Sequence, residues 1–293
     1  MKKLLLKLRY LTKPRQLVGK ILSRLKTGFF RLFLDLPEGI QIQTPRQTLQ
    51  EIEHWIDQRK KGVYLRFGDG DINLLEGLDD LLQASFPGIK KEMQEAFSLG
   101  GEGVFKCLPI HSDKYGAQKE MDFGLHKSDE KFATRLLLRV FKYFIGQKIY
   151  SPVALSHVIS FEREYAVHFL RFLKSFPVIF VGNENVPPEI LGKLFGAPVH
   201  IKTPAKDAFS QIKRTEEEIE VAIESNKGKY LLVVFAMGCS GRVLAKRLFL
   251  KGHDIFIFDF GSSLDLFCGW NTRSWMKLTG LPSSYFDKIL REI

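Results

Sequence analysis

The spacing of hydrophobic positions changes several times along this chain, and the changes mark its elements. From Arg15 to Leu34, the apolar residues Leu17, Val18, Ile21, Leu22, Leu25, Phe29, Leu32 and Phe33 fall on one arc, with Lys20, Arg24 and Arg31 opposite. That periodicity predicts an amphipathic helix. "DLPEG" breaks it and sets a boundary near residue 40. "TPRQTLQEIEHWIDQRKKG" predicts a second helix, capped by Thr44, opened by Pro45 and ended before Gly62. Beyond it the apolar runs become continuous. "VYLRF", "GVFKCL", "FPVIFVG", "KYLLVVFA" and "HDIFIFDF" read as strands buried on both faces, as in a parallel sheet. "PPEILGKLFG", "RTEEEIEVAIESNKG" and "GRVLAKRLFLKG" read as helices between them. Strand and helix in alternation predict an α/β, Rossmann-like layered fold with a mostly parallel central sheet.

Charge divides the chain at the boundary already drawn. The net charge is +11, but residues 1 to 34 hold ten Lys or Arg and no acid, leaving 34 basic and 33 acidic residues in the rest. The body is near neutral and is not a uniformly basic nucleic-acid binder. The leader, residues 1–40, has the charge and periodicity of a helix that lies on an anionic membrane surface. The alternative is that its apolar face packs on the body, residues 41–293. No apolar run has the roughly 20 residues of a membrane span, and "MKKLLLKLRY" lacks the apolar stretch of a signal peptide. Three cysteines without a CxxC pair suit a reducing compartment. These features together predict a cytoplasmic protein, peripheral on the inner face of the membrane.

Several of the chemistry-bearing residues gather where predicted strands end. In "YLRFGDGDINLLEG" the run "VYLRF" passes into Gly68, Asp69, Gly70 and Asp71. Asp-Gly pairs make turns. Two carboxylates at i and i+2 can also share one cation if the backbone bends between them, and Gly70 permits that bend. Mg²⁺ and Mn²⁺ favour such carboxylates together with phosphate oxygens, and Arg66 offers a partner for phosphate. "VVFAMGCSGRVLAKRL" runs from a strand through Gly238, Cys239, Ser240 and Gly241 into a helix. Its N–H groups suit an anion or simply turn the chain. In "KTPAKDAFSQI", Asp207 is a helix cap or a functional acid, and Lys206 a solvated lysine or a partner for a leaving phosphate. Asp259 ends another strand, followed by Trp270, Arg273 and Trp275.

Taken in order, "RFGDGD", "LLQASFPGIKKEMQEAF", "TPAKDAFSQI" and "LLVVFAMGCSGRVLAKRLFLKGHDIFIFDFGSSLD" resemble the GT-D-fold glycosyltransferases, bacterial enzymes dependent on metal and sugar nucleotide. The likeness runs from about residue 45 to 275. It covers an R-F-G-D-G-E signature, a Gln-containing helix, a proline-to-Asn/Asp-Ala-Phe segment and a strand–Gly-loop–helix–strand ending in Asp-x-Gly. Two departures stand out. The family usually has Glu at the place of Asp71, and it often shows Arg-Pro after a mid-chain strand, where this chain has "ALSHVIS" with His157.

The resemblance implies a glycosyltransferase that moves a sugar from a nucleoside diphosphate-sugar, UDP-linked, to a glycan or lipid-linked glycan in surface polysaccharide or glycoprotein synthesis. It implies Mn²⁺ or Mg²⁺ on Asp69 and Asp71. Arg66, Gly68, Gly70, Lys206, Gly238, Ser240 and Gly241 would surround the donor, and Asp207 or Asp259 would act as base. Two other readings stay open. "GCSGR" with Asp259 could serve a Rossmann-like methyltransferase, which gives Asp69 and Asp71 no metal. A degenerate transferase fold could serve as a membrane-surface adapter.

Overall fold

The computed structural model describes residues 41–80, 82–109, 137–270, 272 and 279–293. The basic leader, Arg273 and Trp275 lie outside the described residues. In chain order the elements that matter are α1 (Pro45–Asp57), β1 (Gly62–Arg66), α2 (Asp69–Leu75), α3 (Pro87–Ser98), β2 (Val104–Cys107), α4 (Ala154–Phe161), α5 (Arg163–Lys174), β3 (Val178–Asn183), α6 (Pro188–Phe195), β4 (Val199–Thr203), α7 (Ile212–Glu224), β5 (Leu231–Ala236), α8 (Cys239–Lys251), β6 (Ile255–Asp259), α9 (Ser263–Phe267) and α10 (Ser283–Glu292).

The six strands form one parallel sheet in the order β2-β1-β6-β5-β3-β4. Their continuous apolar runs supply two cores. Val63, Leu65, Ile179, Val181, Val233 and Ile257 pack on one face beneath α2, α3, α7 and α8. Tyr64, Phe180, Leu232, Val234, Phe256 and Phe258 pack on the other beneath α1, α4, α5, α6, α9 and α10. The pleat sends successive residues to opposite faces, so a strand with no polar position serves both layers. The crossover from β3 to β4 runs through α6 on one face, and that from β5 to β6 runs through α8 on the other. β3 and β5 are neighbours, so the chain leaves their carboxyl ends in opposite directions and a crevice opens between them.

Local chemistry explains the boundaries. The Thr44 hydroxyl accepts the Gln47 N–H at 3.2 Å while the Gln47 side chain accepts the Thr44 N–H at 3.0 Å, a reciprocal cap for α1. Gly62 opens β1 as well as ending the turn after α1: a Cβ there would lie 2.5 Å from the Phe256 ring.

Several segments differ from the sequence reading. "DGDINLL" is the helix α2, although a seven-residue helix cannot sustain itself. Ile72 and Leu74 are fully buried beneath it, each worth about 1.5–3 kcal/mol. The Gln-containing helix is α3, opened by Pro87 after the extended Phe86; Gln94 lies on it, and Gln83 is on the loop before it. "ALSHVIS" forms the buried helix α4 directly after a short extended pairing at Ile149 and Tyr150.

Candidate active site

A cleft of about 340 Å³ opens at the carboxyl edge of the sheet. Its lining draws on the turn after β1, the loop holding Asp80 and Gln83, the ends of β3 and β4, the turn from β5 into α8, and the segment after β6. Gly68, Asp69, Gly70, Asp71, Arg66, Asp207, Gly238 and Ser240 all line it.

Gly68 is the N-cap of α2 and Asp71 is the third residue of that helix. One Asp71 carboxylate oxygen accepts the Gly68 N–H at 2.8 Å. The other has no hydrogen-bond partner and lies 3.5 Å from Arg242 Nε. Asp71 is 3% exposed. Burial pushes its carboxyl pKa up, and Arg242 and the Gly68 N–H offset only part of that. Asp69 is exposed, and its carboxylate accepts the Gly70 N–H at 3.0 Å. At Gly70 a Cβ would lie 2.3 Å from Asp80 Oδ1, so the bare backbone lets the Asp80 carboxylate rest against the turn. The two motif aspartates therefore have different surroundings, one in solvent and one against a buried guanidinium.

Arg242 ties this corner together. It donates from Nε to the Arg66 carbonyl at 2.7 Å and from Nη1 to the Gly238 carbonyl at 2.6 Å. The same Nη1 is 3.1 Å from Asp259 Oδ2. Arg66 approaches the other Asp259 oxygen at 3.7 Å and donates to the Pro152 carbonyl. Arg66, Asp259, Arg242 and Asp71 form a chain of alternating charge, and side-chain exposure is at most 14% along it. Gly261, with φ of 54°, accommodates the Arg66 guanidinium, which a Cβ would strike at 1.8 Å. That explains the glycine of Asp-x-Gly. Arg242 was missed in the sequence, although a signal was present. A cation in the first turn of a helix opposes the helix dipole, so its placement there calls for acids across from it.

The turn into α8 divides the roles expected of its glycines. Gly238 has φ of 62° and sits on the cleft wall. With Cys239 and Ser240 it presents the first N–H groups of α8, which have no intrahelical acceptor. Ser240 is buried and its hydroxyl faces Gln83 Oε1 at 3.4 Å. Gly241 does not line the cleft. A Cβ there would meet Met237 Cγ at 3.1 Å and Phe235 Cβ at 3.6 Å, so its bareness serves helix-on-strand packing in place of the expected contact with phosphate.

The remaining candidates separate as well. Asp207 is exposed, with φ of 50°, and its N–H donates to the Leu82 carbonyl at 3.1 Å. It stands at the cap of a single 3₁₀ turn but its side chain makes no cap bond. Asp tolerates this left-handed backbone better than most residues. Lys206 is exposed beside the cleft without lining it. Asp259 lies under the floor, committed to two guanidiniums. His157 is buried on α4 with its ring against Phe161, away from the lining. Asp80, Gln83 and Asp265 join the lining without having been singled out.

Among the described residues, no three His, Cys, Asp or Glu side chains are gathered to hold an ion unaided. An ion at Asp69 and Asp71 would complete its shell from water and substrate phosphate, as Mg²⁺ commonly does. The Asp71 oxygen that lacks a hydrogen-bond partner is a donor of the right type, so the residues present fit such an ion.

Comparison with known proteins agrees with this architecture. Among solved structures, the chain aligns with one described as "The highly conserved domain of unknown function 1792 has a distinct glycosyltransferase fold", with TM-score 0.53 and 19% identity over 83% of this chain and 82% of that one. Another, "A New Glycosyltransferase (DUF1792) from Streptococcus sanguinis", aligns with TM-score 0.53 and 18% identity over 75% of this chain and 81% of that one. No curated protein matches. The family model for the glycosyltransferase GT-D fold matches residues 64–278, well over half the chain, and so reaches from β1 to beyond α9. This removes the methyltransferase alternative: the chain belongs to the GT-D-fold glycosyltransferase family.

Proposed function

We propose that the cleft binds a nucleoside diphosphate-sugar, UDP-linked, and that the chain transfers its sugar to a hydroxyl of a glycan or glycoconjugate. The observation that carries this reading is the meeting, on one cleft wall, of the α8 N-terminus with the Asp71–Arg242 pair. The N–H groups of Cys239 and Ser240 with the dipole behind them favour the diphosphate. Arg242, held between Asp71 and Asp259, fixes the Asp71 carboxylate beside that terminus. A Mn²⁺ or Mg²⁺ ion held by Asp69 and Asp71 would supply Lewis-acid neutralisation of the departing diphosphate.

Of the two acids considered as base, Asp207 fits better. Its carboxylate is on the cleft, exposed and without a capping bond, whereas that of Asp259 already balances Arg66 and Arg242. If configuration is inverted, Asp207 takes the proton of the acceptor hydroxyl.

The test is sugar transfer or donor hydrolysis over a panel of UDP-sugars. Excess chelator is expected to abolish turnover, and Mn²⁺ or Mg²⁺ to restore it. Asp69→Asn, at an exposed position, is expected to keep the wild-type melting temperature and lose most activity. Full turnover in excess chelator contradicts the metal assignment.

A further inference from the structure

The cleft is chemically divided. Arg66, Asp69, Asp71 and Arg242 stand at its charged end, near β1 and β6. The other end lies at β3 and β4, three and four strand positions from β1, roughly 14–19 Å away at the usual strand spacing. That end is lined by Asn183, Thr203, Pro204 and Ala205, with Asp207 two residues further along the same loop and no cationic side chain among the described lining residues there. It also borders the β3/β5 crevice, where open α/β sheets take their ligands.

Asn183 and Thr203 are register partners across β3 and β4. Register partners in a ladder project to the same face, so the amide and the hydroxyl belong to one side of the sheet. Thr203 is 1% exposed, yet its Oγ1 has no hydrogen-bond partner. Its carbonyl is already used by the Glu184 N–H at 3.0 Å. Native folds seldom keep a buried hydroxyl unsatisfied without a reason. Asn183 Oδ1 is occupied, accepting the Asn185 N–H at 3.0 Å and the Asn185 side-chain amide at 3.1 Å. The side-chain N–H groups of Asn183 donate to no described group.

We infer that Asn183 and Thr203 form the subsite for the nucleoside of the donor. The hydroxyl and the amide hydrogen-bond to the neutral edge of the base, and Pro204 and Ala205 form the apolar wall beside it. A diphosphate needs cations and is served at the opposite end. Sugar hydroxyls are better matched by the carboxylates of Asp80 and Asp265. A partly apolar end without cations and with loose hydrogen-bonding groups suits a base.

This inference rests on the nucleotide-sugar reading, and the test separates the two. The full chain with Mn²⁺ is titrated calorimetrically with UDP, CDP, ADP and GDP, and separately with inorganic pyrophosphate. Thr203→Val removes the hydroxyl and keeps the shape. Asn183→Asp removes the amide donors and keeps the Oδ1 turn to Asn185. For the nucleotide that the wild type prefers, Thr203→Val is expected to raise Kd roughly three- to tenfold. Pyrophosphate affinity should not change, and the melting temperature should be equal or higher. Asn183→Asp is expected to weaken the same nucleotide. Unchanged nucleotide affinity in Thr203→Val overturns the inference and leaves the donor reading standing, as does equal loss of nucleotide and pyrophosphate. A wild type that binds no nucleoside diphosphate overturns the donor reading and this inference with it.

Discussion

Asp207 and Asp259 differ in what their carboxylates hold, and that difference predicts opposite phenotypes. Asp259 neutralises two buried guanidiniums, so Asp259→Asn leaves them uncompensated and is expected to cost about 3–5 kcal/mol of stability. Asp207 is exposed in a left-handed backbone that Asn also tolerates. Asp207→Asn is therefore expected to melt with the wild type and to lose turnover. Denaturant unfolding and donor hydrolysis, run on both variants, check the pair. A stable, inactive Asp259→Asn beside an active Asp207→Asn would reverse the assignment of the base. The sequence put Asp259 at a strand end, where it is, and read Asp207 as a helix cap or a functional acid. Asp207 stands at the cap of a 3₁₀ turn without a capping bond. The sequence did not distinguish them, because the distinction depends on Arg242 and Arg66, and Arg242 reaches Asp259 only when α8 folds back over the sheet. Gly241 misled for a related reason. In sequence a glycine at a helix start reads the same whether it faces a ligand or a neighbouring strand.

The helices α3, α7 and α8 are joined by charge across their outer faces. Lys246 lies 2.7 Å from both Glu92 and Glu95, Arg247 pairs with Glu92 and Glu216, and Lys251 pairs with Glu216 and Glu220. Partial burial works against the ionisation of Glu92 and Glu216, but hydrogen bonds from these cations prevail and leave both below their ordinary 4.5. A lowered folded-state pKa means that the stabilisation is full above the unfolded carboxylate range and fades as pH falls through the folded values. Arg247→Met is expected to cost about 1–2 kcal/mol near neutral pH and to flatten the fall in melting temperature over roughly pH 6 to 3. Thermal unfolding across that range checks it; an unchanged slope would show that Arg247 sets neither pKa. Glu216 faces Arg247 and Lys251, so part of the acidic face of α7 is an interface. The long apolar strands were legible because both their faces are buried. β4 was not, because an edge strand alternates, as in Val199–Thr203 with Lys202 exposed. α4 was hidden by its uniform burial, which erases any helical period.

For the whole molecule, the sheet's carboxyl edge collects residues far apart in sequence, from Arg66 to Asp265, into one cleft. Most of that convergence was foreseeable from parallel topology, since all strand ends then point the same way. The basic leader, outside the described residues, supports a separate expectation. Among the described residues no helix is long and apolar enough to cross a membrane, whereas residues 1 to 34 hold ten positive charges and no acid. Each charge near an anionic surface contributes about 1 kcal/mol, screened as salt rises. Full-length protein is expected to co-sediment with anionic vesicles at low salt, and protein lacking residues 1–40 is expected to stay in solution. Full-length protein that remains in the supernatant would favour a leader packed on its own body. Anomalous scattering from crystals grown with Mn²⁺ and UDP locates the ligands of the cleft. A manganese peak is expected about 2.1 Å from carboxylate oxygens of Asp69 and Asp71, with the diphosphate against the N–H groups of Cys239 and Ser240. A manganese ion or a diphosphate bound elsewhere, with the cleft left to solvent, would contradict the account.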